Sequence, residues 1–181
     1  PVDIGDYPLL KDHLNYVESE RKSGVLGKKN QNARGLFARE DQGKTPYNLR
    51  NCAYILDFLK PKIVWGNLAL SAQFAIAGPD IFINAPSNMI ISKQPEYLLA
   101  VLNSKVGDYY IRSLGVTRNG GYFEYKPMFV EKLPIPKINS KERRPLEIIV
   151  EYLPLLIKNE RKLEAAYFEQ IIDGLVYEIY F

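Results

Sequence analysis

The stretch that most constrains the fold is residues 96–114, EYLLAVLNSKVGDYYIRSL. Leu98, Leu99, Leu102, Val106, Tyr109 and Tyr110 share one face at helical spacing. Gln94-Pro95 stands at its start and Gly115 just past its end, the expected punctuation of a helix. Around this helix the chain carries only short β-type runs, at 63–65, 73–77, 81–84 and 89–91 before it and at 122–123 and 128–130 after it. Gly78-Pro79-Asp80 is turn chemistry between two of them, and Lys126-Pro127 marks an edge or a bend. A helix set among short strands predicts an α/β (α+β) domain, with a twisted mixed β-sheet and packed helices.

Two further helical regions flank this block. Leu9, Leu10, Leu14 and Val17 give residues 8–22 a helical face behind Pro8. Residues 145–180 carry two apolar stripes, Leu146, Ile149, Leu153, Leu156 and Ile157, then Leu163, Tyr167, Ile171, Leu175 and Ile179. Pro154 predicts a kink or an early break there. Residues 137–144, KINSKERR, read as a linker. The organisation expected is a globular recognition part over 1–138 and a helical tail over 139–181. The tail's stripes must cover either the globular part or a partner.

Several functional classes are excluded or weakened. Cys52 is the single cysteine, so no internal disulfide forms, and a reducing compartment is expected. With His13 the single histidine, a zinc site of the usual kind has no ligand set. A Cys52–His13 nucleophilic pair is weaker than a surface histidine and a buried thiol. No run is long and apolar enough for a membrane span, and no signal peptide opens the chain. Its first residue is Pro1, read as a piece cut from a longer polypeptide. No GxGxxG or GxxxxGK[ST] occurs.

The net charge of +3 conceals a segregation. Residues 21–50 carry eight cations against Glu40 and Asp41. Residues 23–51 read mostly as loop with short elements, and a loop of that length inside a compact domain points to function or disorder. Within it, GKKNQNARGLFARE gathers Lys28, Lys29, Asn30, Gln31, Asn32, Arg34 and Arg39, and Lys44, Asn48 and Arg50 extend the set. Lysine and arginine neutralise phosphates, arginine matches guanine, and asparagine and glutamine match adenine. Each of these residues alone is as well explained as a solvated surface side chain. Together they fit a polyanion that is both held and read.

The same Arg/Asn pairing recurs in TRNGGYFEYKPMFVEKLPIP, residues 117–136. Gly120-Gly121 supplies the φ freedom of a turn that presents Arg118 and Asn119. Tyr122 is a candidate for the sugar–phosphate wall or for burial. Pro134-Ile135-Pro136 is a stiff exit toward the tail. Asp80 with Glu124 and Lys126 mimics a PD…ExK nuclease arrangement, in which the carboxylates hold Mg²⁺. The ordinary reading is a tight turn at Asp80 and a solvated strand face at Glu124 and Lys126.

Four blocks in order carry a resemblance: GKTPYNLRNCAYILDFLKPKIVWGN, FINAPSNMIIS, EYLLAVLNSKVGDYYIRSLG and GGYFEYKPMFVEKLPIPKI. The chain resembles the TaqI-like C-terminal specificity domain, most clearly over residues 45–138. That family is the target recognition domain of combined restriction–modification enzymes and related adenine-N6 DNA methyltransferases. The resemblance implies a domain that binds double-stranded DNA and does no chemistry alone, without a cofactor of its own. It implies a methyltransferase domain in the same parent polypeptide, which holds S-adenosylmethionine, with Mg²⁺ for a cleaving parent, in a prokaryotic cytoplasm. The methyltransferase's Asn-Pro-Pro-Tyr type motif does not occur here, and Asn84-Ala-Pro-Ser-Asn88 is read as a turn. The blocks themselves are expected to be structural, with Trp65, Phe74, Phe82, Leu98, Leu102 and Tyr109 in the core or its rim. The DNA-contact candidates therefore rest on the residues alone: Lys28, Lys29, Asn30, Asn32, Arg34, Arg39, Lys44, Asn48, Arg50, Arg118, Asn119 and Tyr122. A Mg²⁺-dependent nuclease and a protein-docking domain remain the competing readings.

Overall fold

The computed structural model describes residues 2–23, 35–48, 50 and 53–181, which divide into two compact units, Pro1–Ile55 and Leu56–Phe181. In the first unit, helix α1 (Pro8–Ser23) follows a short 3-10 turn. Its buried side chain is Glu18, not a leucine, and Leu9, Leu10 and Val17 are exposed. Glu18 accepts from Arg21 and from the Leu36 backbone at 3.1 Å, so it ties the loop after residue 35 to the helix. These donors, Arg21 foremost, hold its carboxyl below the usual range. Tyr47 adds a second tie, its hydroxyl donating to Asn15 at 2.9 Å.

The second unit is α+β. Strands β1 (Lys62–Trp65), β2 (Leu68–Ala69), β3 (Ala75–Ala77) and β4 (Asn88–Ile90) precede helices α2 (Pro95–Asn103) and α3 (Lys105–Leu114). Then come β5 (Phe123–Glu124), the short α4 (Pro127–Val130), α5 (Ser140–Lys158) and α6 (Lys162–Tyr180). The order β3-β1-β4 forms one sheet, with Ile63 opposite Ile76 and Ile90, and β2 pairs β5 in another. Every pairing is antiparallel, so the expected mixed sheet is instead two small antiparallel ones. Residues 81–84 form no strand, and 128–130 are helical. Pro127 explains the latter: its fixed φ suits a first helical position, and Lys126 before it stays extended.

The long central helix is broken at Ser104. That residue is extended, and its hydroxyl accepts from Gly107 N at 3.1 Å, capping α3. The break resets the helical phase, so the buried face is Tyr97, Ala100, Val101, Leu102 and Ile111. Tyr109 consequently points outward, 77% exposed. Phe82 is also outside the core, stacked on Phe58 at 5.3 Å on the loop that replaces the expected strand. Trp65, Phe74 and Leu102 are buried as expected, and Leu98 packs at the rim.

The C-terminal helices complete the same core. Leu146, Val150, Ile172 and Val176 join Ile63, Trp65 and Leu102 in one cluster. The stripes therefore cover the unit's own globular part, with Ile157, Leu163 and Tyr167 left exposed. The segment read as a linker begins α5 instead: Asn139 and Glu142 form a capping box. Helix α5 runs unbroken past Pro154 to Lys158. The proline exit is clamped from both sides, since Tyr97 donates to Pro136 O at 2.8 Å and Tyr180 to Pro134 O at 2.5 Å. Among the described residues no helix is long and apolar enough to cross a membrane.

Candidate nucleic-acid interface

The site is built on β5, a strand of two residues that needs external support. Trp65 Nε1 donates to the Tyr125 carbonyl at 2.6 Å, and Tyr125 N donates to Asn67 O at 2.8 Å. The Tyr125 hydroxyl bonds Asp108 Oδ1, which also accepts from Ala72 N at 2.8 Å. Burial first, and then the Asp108 contact, push the Tyr125 phenol up. Arg112 bonds the other Asp108 oxygen at 3.1 Å and lies 3.8 Å over the Phe123 ring. Gly115 permits a close approach, because a Cβ there would meet Glu124 O at 2.9 Å. Helix α3 and the β1–β2 connection thus grip β5 from end to end.

On this support stands the Arg118–Tyr122 turn. Arg118 N donates to Tyr122 O at 2.7 Å and Gly121 N to Arg118 O at 3.2 Å. Gly120 and Gly121 both hold φ near +80°, a region other L residues reach only with strain. Thr117 bridges Phe123 across the base of the turn.

Glu124 is the centre of the charge arrangement. Its side chain is 4% exposed, against 54% for Arg118 and 41% for Lys126. Arg118 donates to its Oε1 through Nε, at 2.7 Å, and through Nη2, and Lys126 Nζ lies 3.0 Å from Oε2. Lys126 and then Arg118 hold the carboxyl below its usual range, against burial, which acts the other way. The expected solvated face at Glu124 is therefore corrected: the carboxylate is buried beneath two half-exposed cations. Glu124 lies on the strand that pairs with β2, with Leu68 opposite it.

A cleft of about 800 Å³ opens here, lined by Gly66, Asn67, Leu68, Pro86, Thr117, Arg118, Asn119, Glu124 and Lys126. Asn67 is fixed in it by Asn88, whose amide donates to Asn67 Oδ1 at 2.7 Å. With both acceptor oxygens of Glu124 engaged by Arg118 and Lys126, the lining of the cleft carries a net positive charge.

The other candidates fall elsewhere. Lys28, Lys29, Asn30, Gln31, Asn32, Arg34 and Cys52 lie outside the described residues. In the first unit Arg39 is half-buried and donates to Asn48 O at 2.7 Å. Asn48 bonds Thr45 Oγ1 at 2.8 Å and Val2 O at 3.2 Å. Arg39 and Asn48 thus bind their own unit, whereas Lys44 and Arg50 are exposed. In the second unit Arg118 and Asn119 share the cleft, with Tyr122 exposed beside it. Asn67 and Lys126 join them, two residues that charge clustering along the sequence passes over. Asp80 sits in the turn after β3, a strand of the other sheet from the one that holds Glu124. No group of three or more His, Cys, Asp or Glu side chains is gathered for a metal among the described residues.

Comparison with known families matches residues 13–135 to the model of the TaqI-like C-terminal specificity domain. No curated protein matches the chain.

Proposed function

The chain belongs to the TaqI-like C-terminal specificity domain family, a specificity module of restriction–modification enzymes, and on that premise we propose that it recognises a specific sequence in duplex DNA. The observation that carries this reading is the cationic cleft, in which Arg118 and Asn119 on the glycine turn meet Lys126 just past β5, with Arg118 and Lys126 both paired to the buried Glu124. Rigid placement favours sequence reading, because base contacts require fixed donors whereas phosphate contacts tolerate mobile ones. Lys44 and Arg50, with the basic segment at 28–34, would supply salt-dependent backbone affinity.

The chain acts in this account as a non-catalytic partner. A methyltransferase domain of the parent polypeptide would hold S-adenosylmethionine and flip the target adenine out of the stack while this module grips the duplex. The parent is proposed to be a prokaryotic cytoplasmic adenine-N6 methyltransferase or a combined restriction–modification enzyme, the cleaving form using Mg²⁺. Nuclease chemistry at Glu124 has less support, since two cations occupy the oxygens that a metal would need and repel it.

The test is fluorescence-anisotropy titration of labelled random-sequence duplexes with the 181-residue chain across a salt series. The expected outcome is binding whose affinity falls steeply as salt rises. Absence of binding at low salt contradicts the reading.

A further inference from the structure

We infer that Arg118 reads a guanine in the major groove, and that Glu124 is the positioning residue that orients its guanidinium for this. The inference rests on the proposed function and assigns it a base and a device.

Arg118 is tied at three points. Its backbone N–H donates across the glycine turn to Tyr122 O, its carbonyl accepts from Gly121, and its Nε and Nη2 both donate to Glu124 Oε1. A guanidinium is planar and carries five N–H donors in a fixed fork. Fixing the Nε/Nη2 edge on a buried carboxylate leaves the Nη1/Nη2 edge as the outward pair. Two side-chain donors to one carboxylate, itself in a paired strand, place the guanidinium before DNA arrives and so lower the cost of ordering it on binding.

The charge balance separates a base from a phosphate as the target. A phosphate clamp gains most from an uncompensated cation. Arg118 is already half-neutralised by Glu124, so its remaining asset is direction rather than charge. Lys126 engages the second oxygen and keeps that acid ionised. Among the four bases, guanine alone offers two adjacent acceptors, O6 and N7, in the major groove. Adenine places an N6 donor where the second acceptor is needed, cytosine presents a donor, and thymine offers O4 beside a methyl group.

The experiment is selection of duplexes from a randomised pool by the full chain and by R118K, R118Q, K126Q and E124Q. The unaltered chain is expected to select a motif with one guanine preferred by roughly ten- to a hundredfold over the other bases. R118K keeps the charge and, at an exposed position, the fold, yet is expected to reduce that one preference to a few-fold and leave the other positions unchanged. R118Q and K126Q each remove one positive charge, and only R118Q is expected to erase the guanine. E124Q is expected to blur the same position, with a circular dichroism spectrum like that of the unaltered chain. A motif that R118K and R118Q leave intact while binding weakens uniformly would overturn this assignment and leave the function standing. Failure of the unaltered chain to select any duplex would overturn the function and the assignment with it.

Discussion

The indole of Trp65 and the main chain of Tyr125 are joined by a single buried hydrogen bond of 2.6 Å, across sixty residues of sequence. It fastens the edge of the cleft to the central strand of the main sheet. Phe74 packs against both rings, at 5.4 Å from Trp65 and 6.2 Å from Tyr125. Trp65→Phe keeps most of the apolar contact and leaves the Tyr125 carbonyl without its donor. A loss of about 1–3 kcal/mol is expected, measured by urea unfolding. An unchanged midpoint would show that the indole N–H holds nothing.

The glycine turn gives a second prediction. Alanine at Gly120 or Gly121 must adopt φ near +80°, at a cost of about 1–2 kcal/mol each. Gly78 has open space around it and no positive φ, so Gly78→Ala is the control and should be within about 0.5 kcal/mol of the unaltered chain. Thermal melts of the three variants distinguish a strained turn from a general intolerance of substitution.

Glu124 sets an acid limit. Its folded-state carboxyl is held below its ordinary value by Lys126 and Arg118. Its contribution is thus present at neutral pH and is lost as pH falls through the ordinary carboxylate range and below it, under about pH 4. Glu18 in the first unit behaves in the same sense. Glu124→Gln should therefore lower stability at pH 7 and flatten its decline toward pH 3, as read by chemical denaturation at each pH.

Tyr180 sets an alkaline limit. Burial, with Tyr97 and Tyr110 nearby, pushes its phenol up to about 12. A raised value means that its contribution is intact below the ordinary tyrosine pKa of about 10 and is lost as pH rises toward 12. The hydroxyl also clamps Pro134, so its ionisation should loosen α6 from the proline exit. Tyr180→Phe is expected to remove that part of the alkaline decline while slightly lowering stability at pH 7.

Much of the fold was legible from local signals. Pro95 and Gly115 fence the central helices because their backbone preferences act locally, and the glycine pair marks its own turn. Asn139-x-x-Glu142 is likewise local, but apolar periodicity alone passes over it and assigns the stretch to a linker. The break at Ser104 was hidden for a different reason. Both halves are helical, and at the interruption the Ser104 cap is joined by long-range partners, Asn103 exchanging two hydrogen bonds of 2.9 Å with the Phe74 backbone.

The site divides in the same way. Arg118 and Asn119 are readable as loop residues beside glycines. The burial of Glu124 is not, since Glu124 lies on a two-residue strand whose partner, at 68–69, is too short to announce itself. Asn67 enters the cleft only because Tyr125 N bonds its carbonyl and Asn88 fixes its amide. Such residues are placed by pairing between distant segments, which residue type and spacing do not encode.

The central claim is that duplex DNA is met at this cleft. The most direct measurement is amide chemical-shift mapping of the isotopically labelled chain during titration with a duplex at low salt. The account predicts that the perturbed amides of the second unit cluster at 66–68 and 117–126, and that the exposed outer positions of α5 and α6, such as Ile157 and Leu163, stay still. Perturbations confined to those outer helix faces, or none at saturating duplex, would contradict it.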